Sequence, residues 1–243
     1  MASTLTIVEI IKRSDQGVTR PFLCRCDDDH LYYVKGRSAG SRSLLCEWFA
    51  GHLAQALGLP IPAFAVATAS RELLELHPEG CDLGTMPTFA SRVVDYVQEL
   101  TVSHVADVAI DLQRLVLVFD WWVRNQDRTL TAKGGNPNLL WDGDSKQLVV
   151  IDQNMSFDPA FDAAEFRASH AFGGQIAAVF QDLVERATYA ERLAGVLAMW
   201  PEACKNVPAE WWFVDEERTV ATDFDSAAVL ATLNRCAEHD FWD

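Results

Sequence analysis

Apolar and β-branched residues crowd Leu5–Ile11 and residues 21–26, and the polar run Ser14-Asp-Gln-Gly17 between them predicts a turn joining two strands. Asp27-Asp-Asp29 marks a second turn into a third strand, Leu31-Tyr-Tyr-Val-Lys35, because short Asp side chains cap turns locally. The period then changes. Leu44, Leu45, Trp48, Leu53, Ala56 and Leu57 recur near 3.6 residues, so Ser41–Leu57 predicts a helix that stops at Gly58. Pro60 and Pro62 lead into a strand at Ala63–Ala67, and Met86–Val97 holds a further strand and a connector. Beyond residue 100 helical spacing dominates. Leu112, Leu115, Val116, Phe119 and Val123 form one stripe over Asp111–Arg124. Asn136–Trp141 and Gln147–Ile151 flank Asp142-Gly-Asp144 as a hairpin. Residues 174–188, 189–200 and 223–240 pattern as helices with Ser or Asp near their starts, and Trp211-Trp-Phe213 reads as a packing cluster. The expectation is an α+β chain with two lobes: a small β-rich one over residues 1–98 and a larger helical one over residues 99–243.

Composition narrows the function classes. At 243 residues the chain is long enough to bury a sizeable core. The net charge of −15 argues against general nucleic-acid binding, which needs an extended basic surface, but leaves room for a nucleotide site built from a few local cations. No apolar run approaches the ~20 residues of a membrane helix. The opening Met1-Ala-Ser-Thr-Leu-Thr-Ile-Val-Glu lacks a signal-peptide layout, so a cytoplasmic protein is expected. Cys24, Cys26, Cys46, Cys81, Cys204 and Cys236 show no zinc-ligand spacing; Cys24 and Cys26 alternate on one strand and share a face.

The chemistry concentrates between residues 119 and 152. Asp127 follows a strongly apolar helix in Asn125-Gln-Asp-Arg128, Asn138 stands at the mouth of a short strand in Asn136-Pro-Asn-Leu-Leu140, and Asp152 closes Leu148-Val-Val-Ile. Enzymes that transfer the terminal phosphoryl of ATP need such a trio. One Asp orients the attacking hydroxyl, while an Asn and a second Asp hold the metal ions on the phosphates. Asn125 is placed to shape the loop by local hydrogen bonds, and Arg128 also suits a helix C-terminus. Asn136 competes with Asn138 as the amide ligand. In the first lobe Lys35 ends an apolar strand, and Glu47 follows twelve residues later on the next helix. A strand-borne Lys held by a helical Glu contacts the α/β-phosphates in kinases. Gly17-Val-Thr-Arg-Pro21 lies where a phosphate-covering loop belongs, with Gly17, Thr19 and Arg20 as candidate contacts, although no GxGxxG is present.

Asn-x-Asp-Arg (125–128), Asn-Pro-Asn-Leu-Leu (136–140), Ile151-Asp152, Tyr-Val-Lys35 and Gly17–Pro21 together resemble the HipA-like kinase family, in its compact branch, over residues 5 to 158. The resemblance implies a protein-kinase-like fold with nucleotide in the cleft between lobes, and ATP- and Mg²⁺-dependent phosphorylation of a Ser or Thr hydroxyl on a protein. It also implies an antitoxin or regulatory partner of the kind toxin–antitoxin systems use. By it Asp127 is the catalytic Asp, Asn138 and Asp152 the metal ligands, and Lys35 the phosphate contact. Thr129–Gly135 lengthens the path to Asn136 relative to related sequences, and Gln153 replaces the Phe of an Asp-Phe-Gly motif. Those departures keep two alternatives open: a pseudokinase-type binding module, and a kinase of a small molecule. Ser14 and Thr19 are further candidates for autophosphorylation.

Overall fold

Five strands at the start of the chain close on themselves. The computed structural model describes residues 4–15, 17 and 19–243. Gln16, in the expected turn, and Val18, in the expected phosphate loop, lie outside the described residues. Strands β1 (Leu5–Arg13), β2 (Phe22–Cys26) and β3 (Leu31–Lys35) form an antiparallel meander. Helix α1 (Ser41–Leu57) follows at the boundaries its periodicity predicts. After it come β4 (Phe64–Ala69), the short helices α2 (Arg71–Leu76) and α3 (Gly80–Leu83), and β5 (Thr88–Arg92). β5 inserts between β3 and β4, and β4 pairs in parallel with β1, giving a closed barrel in the order β1-β2-β3-β5-β4. Closure removes the open edges a five-stranded sheet would leave. Ile7, Phe22, Cys24, Cys26, Val34 and Ala90 fill its interior at the alternate positions a strand must present. Burial pushes the Cys24 thiol up to about 12 and the Cys26 thiol up to about 11, which makes both inert apolar packing.

Chain contacts divide the protein into two compact units. The first holds residues 1–48, 62–95 and 202–224; the second holds residues 49–61, 96–201 and 225–243. In the first unit the Trp48 indole donates to the Ala203 carbonyl at 3.0 Å and meets Phe64 and the fully buried Trp211 edge to face.

Beyond the end of α1, the second unit holds β6 (Gln98–Glu99), followed by α4 (Ile110–Trp122). Eight consecutive residues of α4, Leu115 to Trp122, are buried, so the helix is apolar almost all round and runs through the core. Strands β7 (Leu139–Asp142) and β8 (Gln147–Val150) form the expected hairpin, extended by β6. Asp142 holds the turn by accepting from the Asp144 and Ser145 amides. Helices α5 (Ala163–Ser169), α6 (Ile176–Phe180), α7 (Leu183–Val196), α8 (Trp200–Lys205) and α9 (Ser226–Asn234) complete the chain.

Three expected boundaries move. The helix expected over 174–188 breaks at Asp182, whose carboxylate accepts from the Val184 and Glu185 amides and starts a new helix there. That helix, α7, then runs through the start expected at residue 189. The segment 223–240 is a shorter α9, capped by Asp225 and followed by 3₁₀ turns. Among the described residues no helix is long and apolar enough to cross a membrane.

Candidate active site

The end of α4 sets the geometry of everything that follows. The Arg124 amide donates to the Trp121 carbonyl and the Asn125 amide to the Asp120 carbonyl, which is the Schellman pattern of a helix stop. Arg124 takes the left-handed residue of that motif at φ 52°, a place usually given to glycine. The stop is fastened from outside by the Phe157 amide, which donates to the Val123 carbonyl at 2.6 Å. Asp127 therefore leaves the core on a loop whose start is fixed to the longest buried segment of the unit.

Asn125 and Arg128 are both fully buried. The Asn125 side chain donates to the Asp120 carboxylate at 3.3 Å and accepts from the Asp127 amide at 3.2 Å. The Arg128 Nε donates to Asp120 at 2.7 Å. Its other nitrogens donate to the carbonyls of Pro137, Asn138 and Ile151 and to the Gln153 amide oxygen. The expected catalytic grouping of Asn125, Asp127 and Arg128 thus separates by burial: of the three, only Asp127 is not sealed in the core. Arg128 instead fastens both open ends of the β7–β8 hairpin, one carrying Asn138 and the other Asp152. The Ile151 amide donates to the Asn138 carbonyl at 3.0 Å, so these two residues approach one another at the hairpin mouth. Asn138 (φ 47°) and Asp152 (φ 56°) are both left-handed, and strained backbone of this kind concentrates at functional sites.

Asp127 faces this mouth. Its Oδ2 accepts from the Asn136 side chain at 2.8 Å and from the Asn138 side chain at 3.0 Å, so both competing amides converge on it. Burial raises the Asp127 pKa above the usual carboxylate range. The Asn138 hydrogen bond opposes that rise, the nearby Asp152 charge adds to it, and Arg128 and Asn136 oppose it. The inserted loop before Asn136 is ordered by its own bonds: Thr131 and Gly134 exchange both amide–carbonyl hydrogen bonds. Gly135 is needed for a close approach, since a Cβ there would stand 2.3 Å from the Thr129 carbonyl oxygen. Gly135→Ala is expected to destabilise the protein by about 1–3 kcal/mol and to part Asn136 from Thr129, read as a lower urea midpoint.

Sequence reasoning missed Asp120 and His170. Asp120 is fully buried and accepts from Asn125, Arg128 and, at 3.0 Å, His170 Nε2. His170 Nδ1 accepts from the Phe172 amide, which leaves the imidazole neutral with its proton on Nε2. A lone carboxylate inside Val118-Phe-Asp-Trp-Trp122 was the available signal, because a buried Asp requires partners. Burial lowers the His170 pKa, ahead of the raising effect of Asp120, and burial also lowers that of His52. The unfolded chain binds protons below about pH 6.5 while these two folded imidazoles resist them. Stability is therefore expected to fall as the pH drops through that value, by about 1.4 kcal/mol per pH unit from His170 and by less from the partly exposed His52. Urea midpoints at pH 8 and 5.5 check this, and His170→Gln should flatten the dependence.

Lys35 and Glu47 belong to the first unit. Both are buried, and they form an ion pair at 2.5 Å between β3 and α1. Such a pair holds a lysine rigid, since breaking it would strand a buried charge. Gly17, Thr19 and Arg20 lie on the β1–β2 connection, where the Ser14 amide donates to the Pro21 carbonyl. Arg20 sits 3.9 Å from Glu79.

The family model for HipA-like kinases matches residues 7–243. The chain belongs to the HipA-like kinase family. This extends the resemblance seen over residues 5–158 through the helical remainder. The crystal structure of a Helicobacter pylori proinflammatory kinase, CtkA, superposes with a TM-score of 0.51 at 11% identity, covering 97% of this chain and 95% of that one. At that identity the likeness speaks for the fold alone, which is kinase-like. No curated protein matches the chain in sequence.

A HipA-like kinase implies ATP and a divalent metal, and the residues present fit a hard cation. The donors at the hairpin mouth are oxygens: the Asp152 carboxylate and the Asn138 amide oxygen, whose nitrogen is engaged by Asp127. Two residues beyond Asp152, the Asn154 amide oxygen is buried without a hydrogen-bond partner among the described residues. Among the described residues no cluster of three or more His, Cys, Asp or Glu forms a metal cage. Mg²⁺ on a nucleotide needs none, because one or two carboxylates plus phosphate oxygens and water suffice.

Proposed function

We propose that this HipA-like kinase transfers the γ-phosphoryl of Mg-ATP to a serine or threonine hydroxyl of a protein. The observation that carries it is the convergence of Asn136 and Asn138 on one Asp127 oxygen, at the mouth of the hairpin that bears Asp152. Bound Mg-ATP would supply the phosphoryl group and a cation that neutralises charge developing on the phosphates. Asn138 and Asp152 would hold that cation, and Lys35, fixed by Glu47, would contact the α/β-phosphates. Backbone near Gly17, with Thr19 and Arg20, would cover the phosphates. Asp127 orients the acceptor hydroxyl and takes its proton as the oxygen bonds to the γ-phosphorus and the bridging bond to ADP breaks. Asn125, Arg128, Asp120 and His170 act by position, holding loop and hairpin in one rigid arrangement. A cytoplasmic setting and a regulatory partner of antitoxin type belong to the same proposal, from the family.

A second proposal is a pseudokinase-type binding module. One observation favours it: Gln153 follows Asp152 where a Phe is usual, and its amide oxygen is tied to Arg128. Incubation with γ-labelled ATP and Mg²⁺, with casein-type and basic proteins as acceptors, separates the two. Label on Ser or Thr supports the kinase, label on added small hydroxyl compounds alone supports a small-molecule kinase, and no turnover supports the module.

A further inference from the structure

Next to the Asp127 loop lies a cavity of about 520 Å³ that the phosphoryl-transfer residues do not use. Val102, Val105, Ile110, Leu130, Ala132 and Ala171 supply its apolar lining. Leu130 and Thr131, three and four residues after Asp127, carry the loop into the cavity lining. The Leu130 amide donates to the Ser169 carbonyl and the Ala171 amide to the Arg128 carbonyl, so residues 128–130 run as a fixed edge from Asp127 into the cavity wall.

The three polar side chains that line the cavity are committed elsewhere. Gln113 Nε2 donates to the Val105 and Val108 carbonyls at 3.0 and 2.8 Å, and its oxygen accepts from Gln175 at 3.4 Å. Gln175 in turn accepts from Arg114 Nε at 3.3 Å. Thr131 Oγ1 donates to the Gly134 carbonyl and accepts from the Lys133 amide. A ligand entering here meets apolar surface with few open polar partners, although Val102 and Ile110 stand 50% and 56% exposed. Side chains of this kind left in water favour an apolar occupant.

Charge selects which occupant. Exposed Asp107 and Asp111 stand on either side of Ile110 in sequence and have no ion-pair partner among the described residues, whereas Arg114, the cation at Gln175, is already paired with Glu185, on a chain of net charge −15. We infer that the cavity docks the protein substrate: an apolar side chain, with a Lys or Arg beside it, anchors here while a nearby Ser or Thr reaches Asp127. The inference rests on the kinase function proposed above and names its substrate class. Leu130 is three residues from Asp127, at most about 11 Å along the chain. An extended peptide covers that in about three residues, so anchor and acceptor stand about three apart.

The test uses the full-length protein, Mg-ATP and a peptide set. In it a Leu walks from one to six positions on either side of one Ser, with a fixed Arg beside the Leu. Wild type is expected to favour the peptide with Leu about three positions from Ser by about 10–100-fold in kcat/KM, the worth of seating one apolar side chain. Ile110→Gln, at an exposed first turn that tolerates polarity, should raise the peptide KM about tenfold with kcat and the calorimetric affinity for Mg-ATP unchanged. Asp107→Asn with Asp111→Asn should lower kcat/KM for the Arg peptide more than for its Gln analogue. Phosphorylation without positional preference, or an Ile110→Gln KM equal to wild type, overturns the docking role and leaves the kinase standing. Mg-ATP binding with no peptide phosphorylated overturns a protein substrate at this cavity. Failure to bind Mg-ATP at all overturns the kinase function and the docking role with it.

Discussion

Asp127→Asn is expected to lower kcat for phosphoryl transfer by on the order of 10²–10⁴-fold, the usual worth of a positioned general base. Mg-ATP affinity should stay near the wild-type value. Asn keeps the size of the side chain and an oxygen able to accept from Asn136 or Asn138, so the loop should keep its shape. What it loses is the capacity to accept the hydroxyl proton. The folded protein should accordingly unfold at a similar urea concentration. Burial has raised the carboxyl pKa, so removing the charge should not weaken the fold. A kcat within tenfold of wild type would assign the hydroxyl to another residue.

Asp120→Ala is the second large effect, and it acts on stability. Asp120 is the common acceptor for Arg128, His170 and Asn125, all buried with it. Its removal leaves a buried guanidinium without its carboxylate. Breaking a buried pair from one side costs about 3–5 kcal/mol, a large fraction of a typical domain's stability of about 5–15 kcal/mol. The pair is no proof that charge stabilises this core; the cost arises because the partner is left behind. Asp120→Ala with Arg128→Met should therefore recover part of the loss. Urea unfolding of the two single variants and the double variant measures the coupling, and additive effects would contradict the network.

Much of the architecture was legible because its signals are local. Helix α1 matches its expectation at both ends, since Leu44 to Leu57 repeat cleanly and Gly58 (φ 87°) ends it. The end of α4 was overshot by two residues, because its stop uses Arg124 where glycine would advertise a cap. Helices α2 and α3 are too short for any period to show. Barrel closure depends on β1 meeting β4 some sixty residues later, which no local pattern records. The site divides in the same way. Asp127, Asn138 and Asp152 were named from spacing along the chain, while Asp120 and His170 meet across fifty residues and only folding reveals the pair.

In the proposed function Asp152 and Asn138 make a metal-dependent nucleotide site served by Asp127. Calorimetric titration of ATP into wild type and Asp152→Asn, each with and without Mg²⁺, tests it most directly. Mg²⁺-dependent binding is expected in wild type and should fall at least tenfold in the variant, with urea unfolding of the two proteins alike. Equal Mg²⁺-dependent binding by Asp152→Asn, or no binding by wild type under either condition, would contradict it.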